Sequence, residues 1–170
     1  MAAEETLRFL RRLRAVREFS PEPVSEQVID DILEVGRWSQ SGGNRQPWDV
    51  VVVRDPDLKR KFGEWGARPA ANAAVVFLIV MQNDQPSLDE GRLAERLCLA
   101  AAAHGLGSVV ATLKNEGPEL AKQALGIPAD RRAVALVAVG HIDVEARRNR
   151  PPPANAGRKP LAEFAHRDRW

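Results

Sequence analysis

Apolar and polar positions recur along this chain with two different periods, and the periods divide it into elements. Across residues 6–16, Leu7, Leu10 and Leu13 are set against Arg8, Arg11 and Arg12. That spacing predicts an amphipathic helix ending near Ala15. The loop SPEPVSEQ follows. Ser25 then reads as the N-cap of a second helix, with Glu26, Asp30 and Asp31 toward its positive end. Val24 and Ile29 are spaced for a hydrophobic staple across that cap. Val28, Ile32 and Val35 share a face, which predicts a helix packed on a core as far as Trp38.

A short β-branched run at residues 50–53 predicts the first strand. Residues 55–65 read as a short, mostly polar helix. The run AAVVFLIVM, residues 73–81, predicts a central strand buried on both faces. Ser87 and Glu90 have the spacing of a capping box. The Ala/Leu-rich helix predicted behind it, residues 88–104, stops at Gly105. Strands are predicted at 109–113 and 134–139, with a helix between them that starts at Pro118 and stops at Gly126 and Pro128. Residues 146–170, rich in Pro and Arg, read as an extended arm without a core of its own. Four to five strands and about five helices predict one domain over residues 1–170, an α/β (α+β) layered fold.

Charge sharpens this picture. The net charge is only +2. Residues 1–17 and 147–170 nevertheless hold 12 Lys/Arg against 4 Asp/Glu, and the middle holds 13 against 19. Basic ends suit a nucleic-acid tail, a meeting point for one small phosphate, or simply a solvated face with a loose tail. The basic segments lack interleaved aromatics, which argues against nucleic acid. No apolar run approaches the ~20 residues of a membrane span. The acidic start and lack of an apolar stretch do not read as a signal peptide, so a cytoplasmic location is expected. Cys98 is the lone cysteine, and the three histidines are scattered. No disulfide or metal site is expected. The Gly105-Leu106-Gly107 stretch lies after a helix and before a strand, the reverse of a dinucleotide loop, and no P-loop or GxSxG occurs.

Two stretches carry candidate chemistry. Ser41-Gly42-Gly43-Asn44 opens backbone amides and a carboxamide directly before the first strand, either as an ordinary loop or as a surface for a flat polar ligand. Arg14 and Arg17, three apart where the first helix ends, can converge on one anion through planar, permanently charged forks.

RAVREF, then SQSGGNRQPWDVVVV, LCLAAAAHGLGS, LGIPADRRAVALVAVGH and RKPLAEFAHRDRW resemble, in order, the motifs of the FMN-dependent nitroreductase family. The resemblance implies a three-layer fold with a mixed, mostly antiparallel sheet, and an entwined homodimer with FMN at the subunit interface. It implies a flavoprotein oxidoreductase that takes two electrons from NAD(P)H and passes them to a nitroaromatic, quinone or free flavin. A same-fold protein that holds or consumes flavin without NAD(P)H turnover is the alternative. The resemblance places Arg14, Ala15, Val16, Arg17 and Arg158 near the FMN phosphate and pyrimidine edge, with Arg17 at flavin N1 and O2 as the catalytic group. It places Gln40, Ser41, Gly42 and Asn44 on a loop that meets the partner's flavin. It places Ala111, Thr112 and Leu113 beside flavin N5 and O4. The chain departs from the family pattern at Ala15, where Ser is usual, at Gln40, where Pro is usual, and at Ala156, where Lys is usual. Lys159 or a basic residue of 147–150 is expected to stand in for the last.

Overall fold

The computed structural model describes residues 3–82, 88–151 and 157–170. The capping-box Ser87 and the departure at Ala156 lie outside these residues. Four strands form one sheet: β1 (Trp48–Val53), β2 (Val75–Met81), β3 (Gly107–Thr112) and β4 (Ala135–Gly140). Their order is β1-β2-β4-β3, and every pairing is antiparallel. The sheet is therefore wholly antiparallel among the described residues, rather than mixed.

β2 and β4 are central, and every residue of both is buried. Two faces of apolar side chains alternate along them. Val76, Leu78, Leu136 and Ala138 turn to one core, together with Phe62, Ala70 and Ala121. Val75, Phe77, Ile79, Val137 and Val139 turn to the other, against Ile29, Ile32, Leu93 and Leu97. A strand covered on both sides reads as a continuous apolar run because neither face meets water. The outer layers are α2 (Glu26–Arg37) with α4 (Leu88–Ala103) on one side, and α3 (Pro56–Glu64) with α5 (Gly117–Leu125) on the other.

The caps form where the sequence puts them. Ser25 Oγ accepts the Val28 N–H at 3.4 Å, and Asp55 Oδ1 accepts the Leu58 N–H at 2.9 Å. Val24 and Ile29 are both buried in the same core, as the staple requires. Gly126 ends α5 in the left-handed region at φ 66°. The Lys59 ammonium donates to the carbonyls of Ala73 and Ala74 at 2.6 and 3.2 Å, satisfying acceptors just ahead of β2. Desolvation holds its pKa below the usual lysine range.

Two elements differ from the expectation. α1 spans Ala3–Arg12 and ends before Ala15, because the chain turns extended to pair with the sheet. Val16 N–H donates to the Ser108 carbonyl at 2.8 Å, and Arg14 Nη1 donates to the carbonyls of Arg11 and Leu13 at the frayed end. The C-terminal arm is not wholly extended. α6 (Val144–Asn149), capped by Asp143 at 2.9 Å, opens it, and α7 (Leu161–Phe164) lies near its end. No described helix is long and apolar enough to cross a membrane.

Candidate functional site

β3 is an edge strand, and its free edge organises the site. The Ser108 carbonyl faces outward, since it accepts from Val16, and Leu113 N–H faces inward, since it donates to Val134 at 2.9 Å. Backbone groups on a strand alternate sides. Val110 and Thr112 therefore turn their N–H and C=O groups to the open edge, as Ser108 does. An edge of free donors and acceptors can take the rim of a flat heterocycle in place of a fifth strand.

Cations flank this edge. The extended residues 14–17 run beside the start of β3 and lead into Phe19, which bridges to Ile142. Ser20 N–H donates to His141, and Asp143 N–H donates to Glu18, at 2.9 and 3.0 Å. These bonds bring the segment behind β4 against the N-terminal segment. Arg147 follows on α6: its Nη1 donates to the Ala15 carbonyl at 3.3 Å and lies 3.7 Å from Glu18. Arg150 reaches the same carboxylate at 3.2 Å. Both basic ends of the chain therefore meet at residues 14–18, where the sequence alone left the meeting open.

A cleft of about 660 Å³ lies between α1, α4 and the start of β3, bounded by Arg12, Arg14, Ala15, Val16, Arg17, Cys98, Ser108, Val110 and Arg147. A second hollow of about 630 Å³ continues along β3 past Arg17, Ala111 and Thr112 to Arg68 and Lys114. Arg17 borders both, and its guanidinium has no hydrogen bond or ion pair among the described residues. Both volumes fall within the range of small-molecule sites. Cys98 is partly buried at the wall of the first hollow, and burial pushes its thiol above the usual range against the opposing hydrogen bond with Ser108. A protonated thiol there is a poor nucleophile.

The remaining expected residues lie elsewhere. Leu113 is buried in the core with its N–H turned inward to Val134, and it borders neither hollow. Arg158 is exposed, and its guanidinium donates to the adjacent Gly157 carbonyl at 2.8 Å. Gln40, Ser41, Gly42 and Asn44 sit on a separate loop against the first turns of α4. They do not border the hollows along β3 of their own chain. Gly43, Asn44 and Gln46 adopt φ of 59°, 53° and 48°, a left-handed bend that keeps the loop proud of the surface. Trp38, just past the end of α2, is 68 % exposed. Arg12, Arg68 and Lys114 were not expected. Arg68 and Lys114 are isolated cations in sequence, and only the sheet edge gathers them with Arg17.

Arg14, Arg17 and Arg147 beside a free strand edge suit a group that combines a phosphate with a planar, hydrogen-bonding ring, and FMN has that form. The described residues hold no group of three or more His, Cys, Asp or Glu placed to bind a metal ion.

Comparison with known proteins agrees with this reading of the fold. The model of the nitroreductase family matches residues 10–90. The putative NADH dehydrogenase/NAD(P)H nitroreductase of Archaeoglobus fulgidus is 31 % identical over 149 residues, covering 81 % of this chain and 86 % of that protein. The iodotyrosine deiodinase of Nematostella vectensis is 30 % identical over 200 residues, covering 94 % and 74 %. The structure of the FMN-dependent nitroreductase from Clostridium difficile R20291 superposes with a TM-score of 0.78 at 19 % identity, over 95 % of this chain and 98 % of that one. That likeness shows a shared fold.

Proposed function

Because the chain belongs to the nitroreductase family, we propose that it is an FMN-dependent oxidoreductase that draws two electrons from NAD(P)H and delivers them to a small organic acceptor such as a nitroaromatic, a quinone or a free flavin. The observation that carries this reading is the uncommitted Arg17 guanidinium at the junction of two hollows, on the open edge of β3. The names of the relatives from Archaeoglobus fulgidus and Clostridium difficile support the donor and the flavin.

Arg14 and Arg147 would hold the phosphate, whose charge of about −2 calls for several cationic donors. The departure at Ala15 removes a hydroxyl from that set. The Arg147 contact with the Ala15 carbonyl brings a guanidinium to the same place, and it supports Arg147, among the basic residues of 147–150 and Lys159, as the one that would stand in for the missing lysine. The outward backbone groups of Val110 and Thr112 would orient the ring. When bound, FMN supplies the redox chemistry that passes two electrons between a nicotinamide and an acceptor. Arg17 would stabilise negative charge at the pyrimidine edge without a proton transfer, which is why the site needs no catalytic His or Cys.

The loop at 40–44 would serve the site of a second copy. Leu7 and Leu10 on α1 are 48 % and 44 % exposed, and Leu161 and Phe164 on the arm are 73 % and 74 % exposed. Burial of these side chains against the second copy would remove them from water. Sedimentation is expected to give a species of about twice 18.7 kDa. A monomer that retains FMN would contradict the shared site.

The first experiment is the visible spectrum of the purified protein, followed by anaerobic NADH and NADPH. A flavin band that bleaches within seconds with either donor is the expected result. A band that survives both donors assigns the protein to flavin holding or consumption. No flavin, after incubation with FMN, removes the proposal.

A further inference from the structure

The 40–44 loop keeps a backbone that L-residues rarely adopt. Asn44 and Gln46 have positive φ as well as Gly43, and such conformations persist only where the surroundings hold them. Part of the support is internal. Ser41 Oγ accepts the Gln46 N–H at 2.9 Å, and Arg45 Nε donates to the Gly42 carbonyl at 3.1 Å. The rest comes from α4. Gly42 N–H donates to Asp89 Oδ2 at 3.2 Å, and Arg92 Nη2 donates to Gln40 Oε1. Asp89 and Arg92 are three residues apart, so one helical face presents both.

The same turn of α4 is anchored to the sheet from its buried side. Glu90, between the two, accepts from Arg132 Nη1 at 2.6 Å, and the side chains of the pair are 9 % and 13 % exposed. Arg132 exchanges backbone hydrogen bonds with Met81 at the end of β2, at 2.7 and 3.1 Å. A rigid line therefore runs from β2 through Arg132 and Glu90 to the first turn of α4, and from there to the loop. Nothing in the local sequence of a helix start requires a carboxylate and a guanidinium aimed back at a loop 47 and 52 residues earlier.

We propose that Asp89 and Arg92 are positioning residues of the flavin site, fixing the 40–44 loop in the pose in which it meets the flavin bound by a second copy. This rests on the flavin reading given above. Asp89 acts as a charged acceptor that orients the Gly42 amide, and Arg92 as a planar fork that directs the Gln40 carboxamide. A site built partly from a loop reaches its working geometry only if a supporting shell locks that loop, and a displacement of ~1 Å is enough to lose most of the benefit.

The test compares Asp89→Ala, Asp89→Asn and Arg92→Met with the wild type in three measurements: hydrogen exchange of the amides of residues 40–44 in the flavin-free protein, FMN dissociation constant, and thermal midpoint. Asp89→Asn keeps an acceptor oxygen and is the rescue variant. Asp89→Ala is expected to speed exchange at Gly42 and Gly43 and to weaken FMN about tenfold, with an unchanged midpoint. Asp89→Asn is expected to stay within about twofold of the wild type on both, and Arg92→Met to behave as Asp89→Ala does. Unchanged loop exchange in Asp89→Ala overturns the tether, whatever the flavin does. Faster exchange with wild-type FMN affinity overturns the positioning role. A wild type that takes up no FMN removes the flavin reading itself, and the exchange arm still decides whether Asp89 holds the loop.

Discussion

Replacing Arg17 with alanine is expected to weaken FMN about ten- to hundredfold. The estimate follows from the ~1.5–3 kcal/mol of one hydrogen bond to a charged group, at 1.4 kcal/mol per factor of ten. The Arg17 side chain is exposed and has no protein partner among the described residues, so its loss removes no fold-stabilising contact. The thermal midpoint of the flavin-free protein should therefore stay where it is. Arg17→Lys keeps the charge and loses the planar fork, so it should recover binding only in part. Arg8→Ala is the control. Among the described residues Arg8 pairs with Glu4 alone, on the exposed face of α1 at 3.0 Å, and its removal should change neither affinity nor stability measurably. Fluorescence titration of the stripped protein with FMN measures all three. Wild-type affinity in Arg17→Ala would remove Arg17 from the site.

Gly107→Val is expected to damage fold and site together. Gly107 opens β3 and pairs with Gly140 across the sheet. A Cβ on Gly107 would stand 2.7 Å from Val16 Cγ1, 2.8 Å from Val16 Cβ and 3.0 Å from Ile142 Cγ1. A Cβ on Gly140 would meet the Ala74 nitrogen and Phe19 at 3.1 Å. The paired glycines thus leave room for residues 16–19 to lie against the sheet end. Overpacking of a tight site costs about 1–3 kcal/mol. The side chain with the least room to yield is Val16, only 4 % exposed and already in the core. Relief must come from the segment that carries Arg14 and Arg17. Denaturant melts should show a lower midpoint, and FMN affinity should fall even at temperatures where the variant is folded. A variant with the lowered midpoint and full affinity would separate the glycine from the site.

Arg17 and Gly107 differ in how much of their role is legible in the sequence. Arg17 stands out in the sequence because two arginines follow an apolar-periodic helix and have no apolar duty. Gly107 reads locally as a turn residue after α4. Its reason for being glycine is a contact with Val16, ninety-one positions away by number. Arg68 and Lys114 were invisible for the same cause. Each is one charge among many, and only the edge of β3 places them in one hollow with Arg17.

The sequence by itself determined the local structure. Continuous apolar runs produced β2 and β4, because strands covered on both faces have no polar side. Ser25 and Asp55 started α2 and α3, because their side chains satisfy amides that a helix leaves open. The sequence also carried two basic ends and a glycine-rich loop, with the ordered motifs that resemble the nitroreductase family. The tertiary structure alone decided which of these meet. Antiparallel closure in the order β1-β2-β4-β3 left β3 at the edge, and the pairing of Val16 with Ser108 ended α1 early and laid residues 14–17 along that edge. The contacts of Arg147 and Arg150 with Glu18 joined the two basic ends. The 40–44 loop went to α4 instead, away from the hollows of its own chain. The physical reason is range. Caps and periodicity act within a few residues, whereas a binding site is assembled by hydrogen bonds and close packing between segments whose separation along the chain no local pattern encodes.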